Sequence, residues 1–174
     1  DILKLLESIA LSVQNPNNKL QWVQLEDLMP TPAHAEKIAA ILAKSKTLTN
    51  ISIIGKQFPP ESMKLIGTAL KENNSLEVLK LVGINITDSG ARTLSESLED
   101  TDLKSLLVHF NEISEANAVK LVIAANKNTR QEKINLFFDH AILTKKFIAH
   151  LIDHLPDISR DFFHEMGVSE EILN

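Results

Sequence analysis

Leu76-Glu77-Val78-Leu79-Lys80-Leu81 is the stretch on which the fold turns. Its form is Leu-x-x-h-x-h, where h is apolar. The form is opened by Leu20, Leu48, Leu76 and Leu103 and continued by Val23/Leu25, Ile51/Ile53, Leu79/Leu81 and Leu106/Val108. The spacing of the openings is nearly constant, and one more step reaches Gln131, followed by Ile134 and Leu136. A fixed period of this length, about 28 residues, marks a stacked-repeat protein.

Within each unit the periodicity changes once. Positions 4 and 6 are apolar around a mostly polar position 5, the alternation of a half-buried strand. Further on, the apolar residues fall three and four apart, on one face of a helix. They read Ala35/Ile38/Leu42, Met63/Ile66/Leu70, Ala91/Leu94/Leu98 and Ala118/Leu121/Ala125. Thr87-Asp88-Ser89 and Ser114-Glu115 supply N-caps before two of these helices, and Pro59-Pro60-Glu61-Ser62 opens another. A strand–loop–helix unit cannot bury its apolar faces alone, so neighbours stack. Helices are wider than strands, and the stack therefore curves with its strands inside. The sequence predicts an α/β solenoid, a right-handed βα superhelix with parallel strands on the concave face and helices on the convex face.

Leu103-Lys-Ser-Leu106-Leu-Val108-His-Phe-Asn111-Glu-Ile113 and Leu76 through Ile86-Thr-Asp88-Ser-Gly90-Ala91 resemble leucine-rich repeats of the ribonuclease-inhibitor type. The resemblance covers roughly residues 18 to 155 and implies the solenoid fold. It leaves function open, because that family binds many unrelated proteins. It also implies an asparagine in each strand-to-helix turn, bonded to backbone. Only Asn111 supplies it; Leu28, Lys56, Ile84 and Asp139 stand elsewhere, so irregular turns are expected on that edge. A second, weaker resemblance is to the tropomodulin C-terminal repeat domain. It rests on Asn15-Pro16 leading into Leu20-x-x-Val23-x-Leu25, on Leu28-Met29, and on the Pro-rich helix start that follows. That family caps actin filaments, but the later repeats lack the stretches expected to touch actin.

Three segments follow. Residues 1–14 form an N-terminal helix, with Leu6, Ile9 and Val13 lying one period before Ala35, Ile38 and Leu42. It reads as the helix half of a repeat whose strand is missing. It is either a cap or part of a longer solenoid, and a first residue other than methionine favours the second. Residues 18–155 hold about five leucine-rich repeats of that same period. In the last of them the helix face Ile148/Leu151/Leu155 implies a loop two residues longer than in the fourth. Residues 156–174 follow Pro156 as a helical cap, with Phe162, Phe163 and Met166 apolar and Gly167 closing a short helix. A docking peptide for a partner is the alternative reading of that segment.

Composition narrows the function. A net charge of −5 is mild and argues against nucleic-acid binding, which needs a concentrated basic face. With no cysteine there is no disulfide framework and no thiolate metal site. No apolar run is long enough to span a bilayer and no signal peptide is visible, so membrane insertion is not expected; no cofactor motif is present, and no cofactor is expected. The sequons at Asn50, Asn73 and Asn85 are read as chance in a chain with 13 asparagines. Lysine outnumbers arginine 15 to 3. Lysine- and asparagine-rich, cysteine-free usage fits an intracellular, cytoplasmic protein, and also an effector that an intracellular bacterium delivers into its host. No phosphate loop, nucleophile elbow or His-Glu-x-x-His occurs, and an enzyme is not expected. His150 and His154, with Asp153 beside them, have metal-compatible spacing but read as a solvated helix end.

The candidate binding face lies between the core leucines. With positions 4 and 6 inward, positions 3, 5 and 7 point to the concave surface. Position 3 reads Trp22, Asn50, Val78, Ser105 and Lys133; position 5 reads Gln24, Ser52, Lys80, Leu107 and Asn135; position 7 reads Glu26, Ile54, Val82, His109 and Phe137. Loop-side position 8 adds Asp27, Gly55, Gly83, Phe110 and Phe138. Ile54, Val82 and Phe137 are expected as an apolar stripe broken by His109, with Trp22 at its edge. Such a row marks a site for another protein, unless the first helix or the loops fold over it.

Overall fold

A computed structural model describes residues 1–174 except Met29, Gln131, Glu132 and His140, and gives the backbone but not the side chain of Leu28. The expectations placed on Met29 and Gln131 therefore lie outside the described residues. Helix α1 (Ile2–Ser12) comes first, followed by β1 (Trp22–Leu28) and α2 (Pro32–Lys44). The alternation continues through β2 (Asn50–Gly55), α3 (Ser62–Glu72), β3 (Val78–Val82), α4 (Asp88–Leu98), β4 (Ser105–Leu107), α5 (Glu115–Asn126), β5 (Asn135–Phe137) and α6 (Lys145–His154). Two short helices, α7 (Arg160–Glu165) and α8 (Glu170–Leu173), close the chain. The strands form one open parallel sheet in sequence order, as a curved leucine-rich-repeat solenoid requires.

The leucine phrase builds the core it predicts. Val23, Leu25, Ile51, Ile53, Leu79, Leu81, Leu106 and Val108 are all buried. The helix triads meet them from the other layer, with Ile38, Ile66, Leu94 and Leu121 wholly enclosed. Each such side chain contributes roughly 1.5–3 kcal/mol of burial. Thr87 and Ser114 are the N-caps of α4 and α5, and Ser114 Oγ accepts from the Asn117 N–H.

Two columns of polar side chains satisfy the turns. Asn111 performs the role expected of it. Its Nδ2 donates to the carbonyls of Leu81, Val108 and His109 at 2.8–3.0 Å, and its Oδ1 accepts from the Ile86 N–H at 2.9 Å. The other turns on that edge find separate solutions. Ile84 enters the core, Lys56 is exposed, and Asp139 Oδ2 accepts the Phe110 N–H at 2.7 Å. A second column runs along the helix-to-strand turns through Ser45, Asn73, Thr101 and Asn128. Asn73 is the fullest example: Nδ2 donates to the Leu42 carbonyl at 2.5 Å, and Oδ1 accepts from Ser75 and Leu76 at 2.8 and 2.7 Å. Ser45 Oγ accepts from Leu48, Thr101 Oγ1 from Leu103, and Asn128 Nδ2 donates to Leu98 and Thr101. The Asn73 and Asn128 amides tie their turns to the preceding repeat, while the Ser45 and Thr101 hydroxyls and the Asn73 Oδ1 bond N–H groups within their own turn. Asn73 is itself buried and fully engaged, which closes that sequon to a glycan.

The fifth repeat corrects the sequence reading. Ser105 pairs with Asn135, Leu106 with Leu136 and Leu107 with Phe137. Val78 pairs with Ser105, 27 positions on, whereas Ser105 to Asn135 is 30. The strand therefore enters two residues later than a uniform period demands. The additional residues precede β5 rather than lengthening the loop that follows it.

At the C-terminal end α7 lies against the outer side of β5. Phe163, Met166 and Val168 are buried, Lys133 is ion-paired to Glu165, and the Lys133 ammonium sits 5.5 Å from the centre of the Phe162 ring. Gly167, at φ +87°, makes the turn out of α7, where a side chain would be strained. No helix among the described residues is long and apolar enough to cross a membrane.

Candidate protein-binding face

Register decides which of the predicted surface residues are neighbours. Trp22 pairs with Asn50 and Val78 follows; Gln24, Ser52, Lys80 and Leu107 form the next row; Glu26, Ile54 and Val82 form the third. Most of these side chains reach the surface. Trp22 is 57 % exposed, Gln24, Glu26 and Lys80 are exposed, and Asn50, Ile54, Val78, Val82, Leu107 and His109 are half-buried. Gln24 bonds Glu26 along the strand, and Asn50 Oδ1 accepts from Thr49 Oγ1 at 2.8 Å. Lys80 stands in the middle of the sheet without an ion pair among the described residues.

Five positions differ from expectation. Ser52 is only 3 % exposed, because its short side chain lies in the trough between the longer Gln24 and Lys80. The register of β5 moves Asn135 into the row of Ser105 and Phe137 into the row of Leu107. The apolar surface is therefore not one column through Ile54, Val82 and Phe137. It consists of two side-by-side pairs, Ile54–Val82 and Leu107–Phe137, offset by one row. Lys133 precedes the strand and is held by the C-terminal helix rather than presented on the sheet. Phe138 is core, stacked edge-on to Phe147 at 6.3 Å.

Phe110 is what the columns understate. At 76 % it is the most exposed large apolar side chain among the described residues, and its backbone sits at φ +55°. The same turn one repeat earlier carries Gly83, at φ +64°. The geometry calls for glycine, and a bulky side chain there is strained. His109, whose ring lies 6.3 Å from that of Phe110, approaches Asp139 Oδ1 at 3.6 Å through Nδ1. Asp139 thus fixes the Phe110 amide with one oxygen and faces the neighbouring imidazole with the other. Gly83 at position 8 of the preceding repeat is the sequence signal for such a turn, but Phe138 shares that position, so the column alone does not single out Phe110.

Elsewhere the surface offers less direction. A groove of about 710 Å³ runs between α2 and α3 on the convex side, floored by Ala39, Ala40 and Ala43 with Leu65 at its edge. His150 turns towards Glu115 at 3.5 Å, while His154 Nδ1 meets the His150 carbonyl at 2.8 Å, so the two imidazoles do not converge. Among the described residues no three His, Cys, Asp or Glu side chains gather as cation ligands.

No protein-family model matches this chain. It is 25 % identical over 153 residues to NACHT, LRR and PYD domains-containing protein 7 of Homo sapiens, a match covering 86 % of this chain and 16 % of that protein. It is 26 % identical over 164 residues to NACHT, LRR and PYD domains-containing protein 14 of Mus musculus, covering 93 % and 16 %. The chain thus spans 16 % of the length of the curated relatives it matches. Among solved structures, the leiomodin-1 actin-binding site 2 superposes with a TM-score of 0.67 at 13 % identity, over 88 % of this chain and 90 % of that one. The fold these proteins share with it is leucine-rich-repeat-like. The narrower ribonuclease-inhibitor type does not follow from them.

Proposed function

We propose that this chain is a non-enzymatic recognition module that holds a protein partner on its concave strand face. The observation that carries the reading is the offset apolar surface of Ile54, Val82, Leu107 and Phe137, with Phe110 projecting at its loop-side lip. Apolar side chains held half-open on a rigid sheet lose little entropy when a partner covers them. Aromatic groups such as Trp22 and Phe110 are those on which interface energy concentrates. The acidic, cysteine-free composition supports a protein rather than a nucleic acid as partner, and a reducing interior as the setting, including that of a host cell.

The test is Ile54→Asp combined with Val82→Asp. Neither side chain belongs to the core, so the thermal transition should stay within a few degrees of wild type. Capture of the native partner, identified by mass spectrometry, should be lost. Unchanged capture with an intact transition would place the partner elsewhere, and loss of the transition would mean that the two side chains are structural.

A second reading is favoured by one comparison. The leiomodin-1 chain whose path this one follows is named as an actin-binding site. Co-sedimentation with actin filaments at micromolar concentration decides it, because no pelleted protein removes actin as the partner.

A further inference from the structure

The convex groove between α2 and α3, about 710 Å³, is floored by Ala35, Ala39, Ala40, Ala43 and Ala69, with Leu65 on its rim. Further helices flank both walls, α1 against α2 and α4 against α3, so the groove belongs to the middle of the array. The repeat shows how it departs from its neighbours. Counted from one repeat to the next, Leu65 corresponds to Lys37, Thr93 and Lys120. Ala40 corresponds to Thr68, Glu96 and Ile123, and Ala43 to Lys71, Glu99 and Asn126. Apart from Ile123, the outer surfaces of the other helices are polar where both walls of this groove are apolar. The equivalent trough between α4 and α5 is smaller, about 390 Å³, and is lined by Arg92, Glu96, Glu99, Lys120 and Lys127.

The walls restrict what can lie between them. They are two α-helices whose backbone N–H and C=O groups bond within each helix, so an extended chain laid here would leave its own backbone unpaired. A helix brings its backbone already bonded, and small side chains on the floor let it approach closely. The lined length of α3, from Glu61 to Glu72, is about three turns, or roughly 16 Å. Glu36, Glu61 and Glu72 line this groove, all exposed and without an ion pair among the described residues, and Lys64 alone opposes them. The α4–α5 trough has the opposite balance, three basic side chains to two acidic ones. Where α3 begins, Ser62 lines the groove at 1 % exposure, and its Oγ has no hydrogen-bond partner among the described residues. A buried hydroxyl left unpaired is costly, and a polar side chain entering beside it can supply the missing bond.

We propose that the α2–α3 groove receives an amphipathic helix of a partner protein, its apolar stripe on the alanines and its lysine or arginine side chains beside the three carboxylates. This is a helix-in-groove contact on the helical layer, separate from the concave strand face.

Two fluorescent peptides of about 18 residues, long enough to hold a helix, test it by anisotropy. Both carry leucine and alanine at i, i+3, i+4 and i+7; one has lysine at the flanking positions and the other glutamate. The lysine peptide should bind at least about tenfold more tightly than the glutamate peptide. Amide shift changes in NMR spectra should centre on α2 and α3. Glu36→Lys with Glu72→Lys, both at exposed positions, should reverse the preference between the peptides. Ala40→Phe should fill the groove and weaken the lysine peptide at least about tenfold. The charge reversal touches no packed side chain, and it decides the matter where Ala40→Phe disturbs the fold. No binding of the lysine peptide up to about 500 µM overturns the proposal. So do equal affinities for the two peptides, a preference that survives charge reversal, or shift changes centred on the strands. The variant with Ile54→Asp and Val82→Asp should bind the lysine peptide as wild type does, which keeps this result apart from the concave-face reading.

Discussion

Replacing Phe110 with glycine should separate the two things its position combines, a left-handed turn and a surface aromatic. The left-handed conformation costs a non-glycine residue roughly 1–2 kcal/mol. Glycine removes that cost but loses about 0.5–1 kcal/mol more backbone entropy than alanine on folding. The side chain is 76 % exposed, so about a quarter of a full phenylalanine burial of 1.5–3 kcal/mol, or roughly 0.5 kcal/mol, goes with it. The sum places Phe110→Gly between about 0.5 kcal/mol less stable and about 1 kcal/mol more stable than wild type. The Asp139 contact survives because its donor is the backbone N–H.

Alanine is the decisive control. Phe110→Ala keeps the strain and loses the same contacts, so it should fall about 1 kcal/mol below Phe110→Gly. The reciprocal substitution Gly83→Ala should cost a similar amount or more, because its new Cβ would also lie 3.2 Å from the Gly55 carbonyl. Thermal unfolding followed by circular dichroism resolves such differences, since about 1 kcal/mol moves the midpoint by about 2–4 °C in a chain of this size. If alanine at 110 is as stable as glycine, the strain argument fails. If glycine at 110 is stable and still captures the partner at full strength, Phe110 is no anchor.

Two further outcomes follow from the turns. Asn73→Ala leaves the Leu42 carbonyl and the Ser75 and Leu76 N–H groups without that partner in a buried turn, and should cost about 2–4 kcal/mol in chemical denaturation; a loss near zero would mean that solvent replaces it. Asp88 accepts the Ser114 N–H at 2.8 Å, and that bond above all holds its carboxyl below its ordinary value of 3.8. A lowered folded-state value stabilises the protein above the unfolded one and loses that contribution as pH falls through the folded one. The stability gap between wild type and Asp88→Ala should therefore be full at neutral pH and close below about pH 4; a gap independent of pH would assign the loss to helix propensity instead.

What the sequence made legible was everything repeated in one kind of residue. Leucine, isoleucine and valine recur at positions 4 and 6 because only apolar side chains fit a layer sealed by helices, and that recurrence predicts both strand and face. The column Ser45, Asn73, Thr101, Asn128 was not legible as a column. Its members share a capacity to bond a turn and not a chemical identity, so no single letter repeats. Phe110 was hidden for a related reason. Its importance lies in a backbone angle that glycine or asparagine would have announced, and a phenylalanine did not. Ser52 reads as surface from its parity, yet exposure also depends on the length of the side chains beside it.

The displaced register of β5 keeps the inward and outward parity of its side chains and changes only which rows they stand in. Side chains alternate faces with a period of two, so a slip of one residue would have turned the whole strand inside out. The actual slip is two, which preserves parity. Ile134, Leu136 and Phe138 all face inward and are buried, while Asn135 and Phe137 still face outward. Burial therefore exerted no pull against the insertion, and the core accepted Phe138 where the preceding repeat has Val108, with Phe147 packing edge-on against it. What changed is lateral. Phe137 left the row of Ile54 and Val82 for that of Leu107, and Asp139 took its place beside His109. A strand free to slide by two at no cost to the core can re-draw the pattern on its outer face. The pattern on the outer face of the sheet is thus set by the length of the connection before the strand as much as by the residues on it.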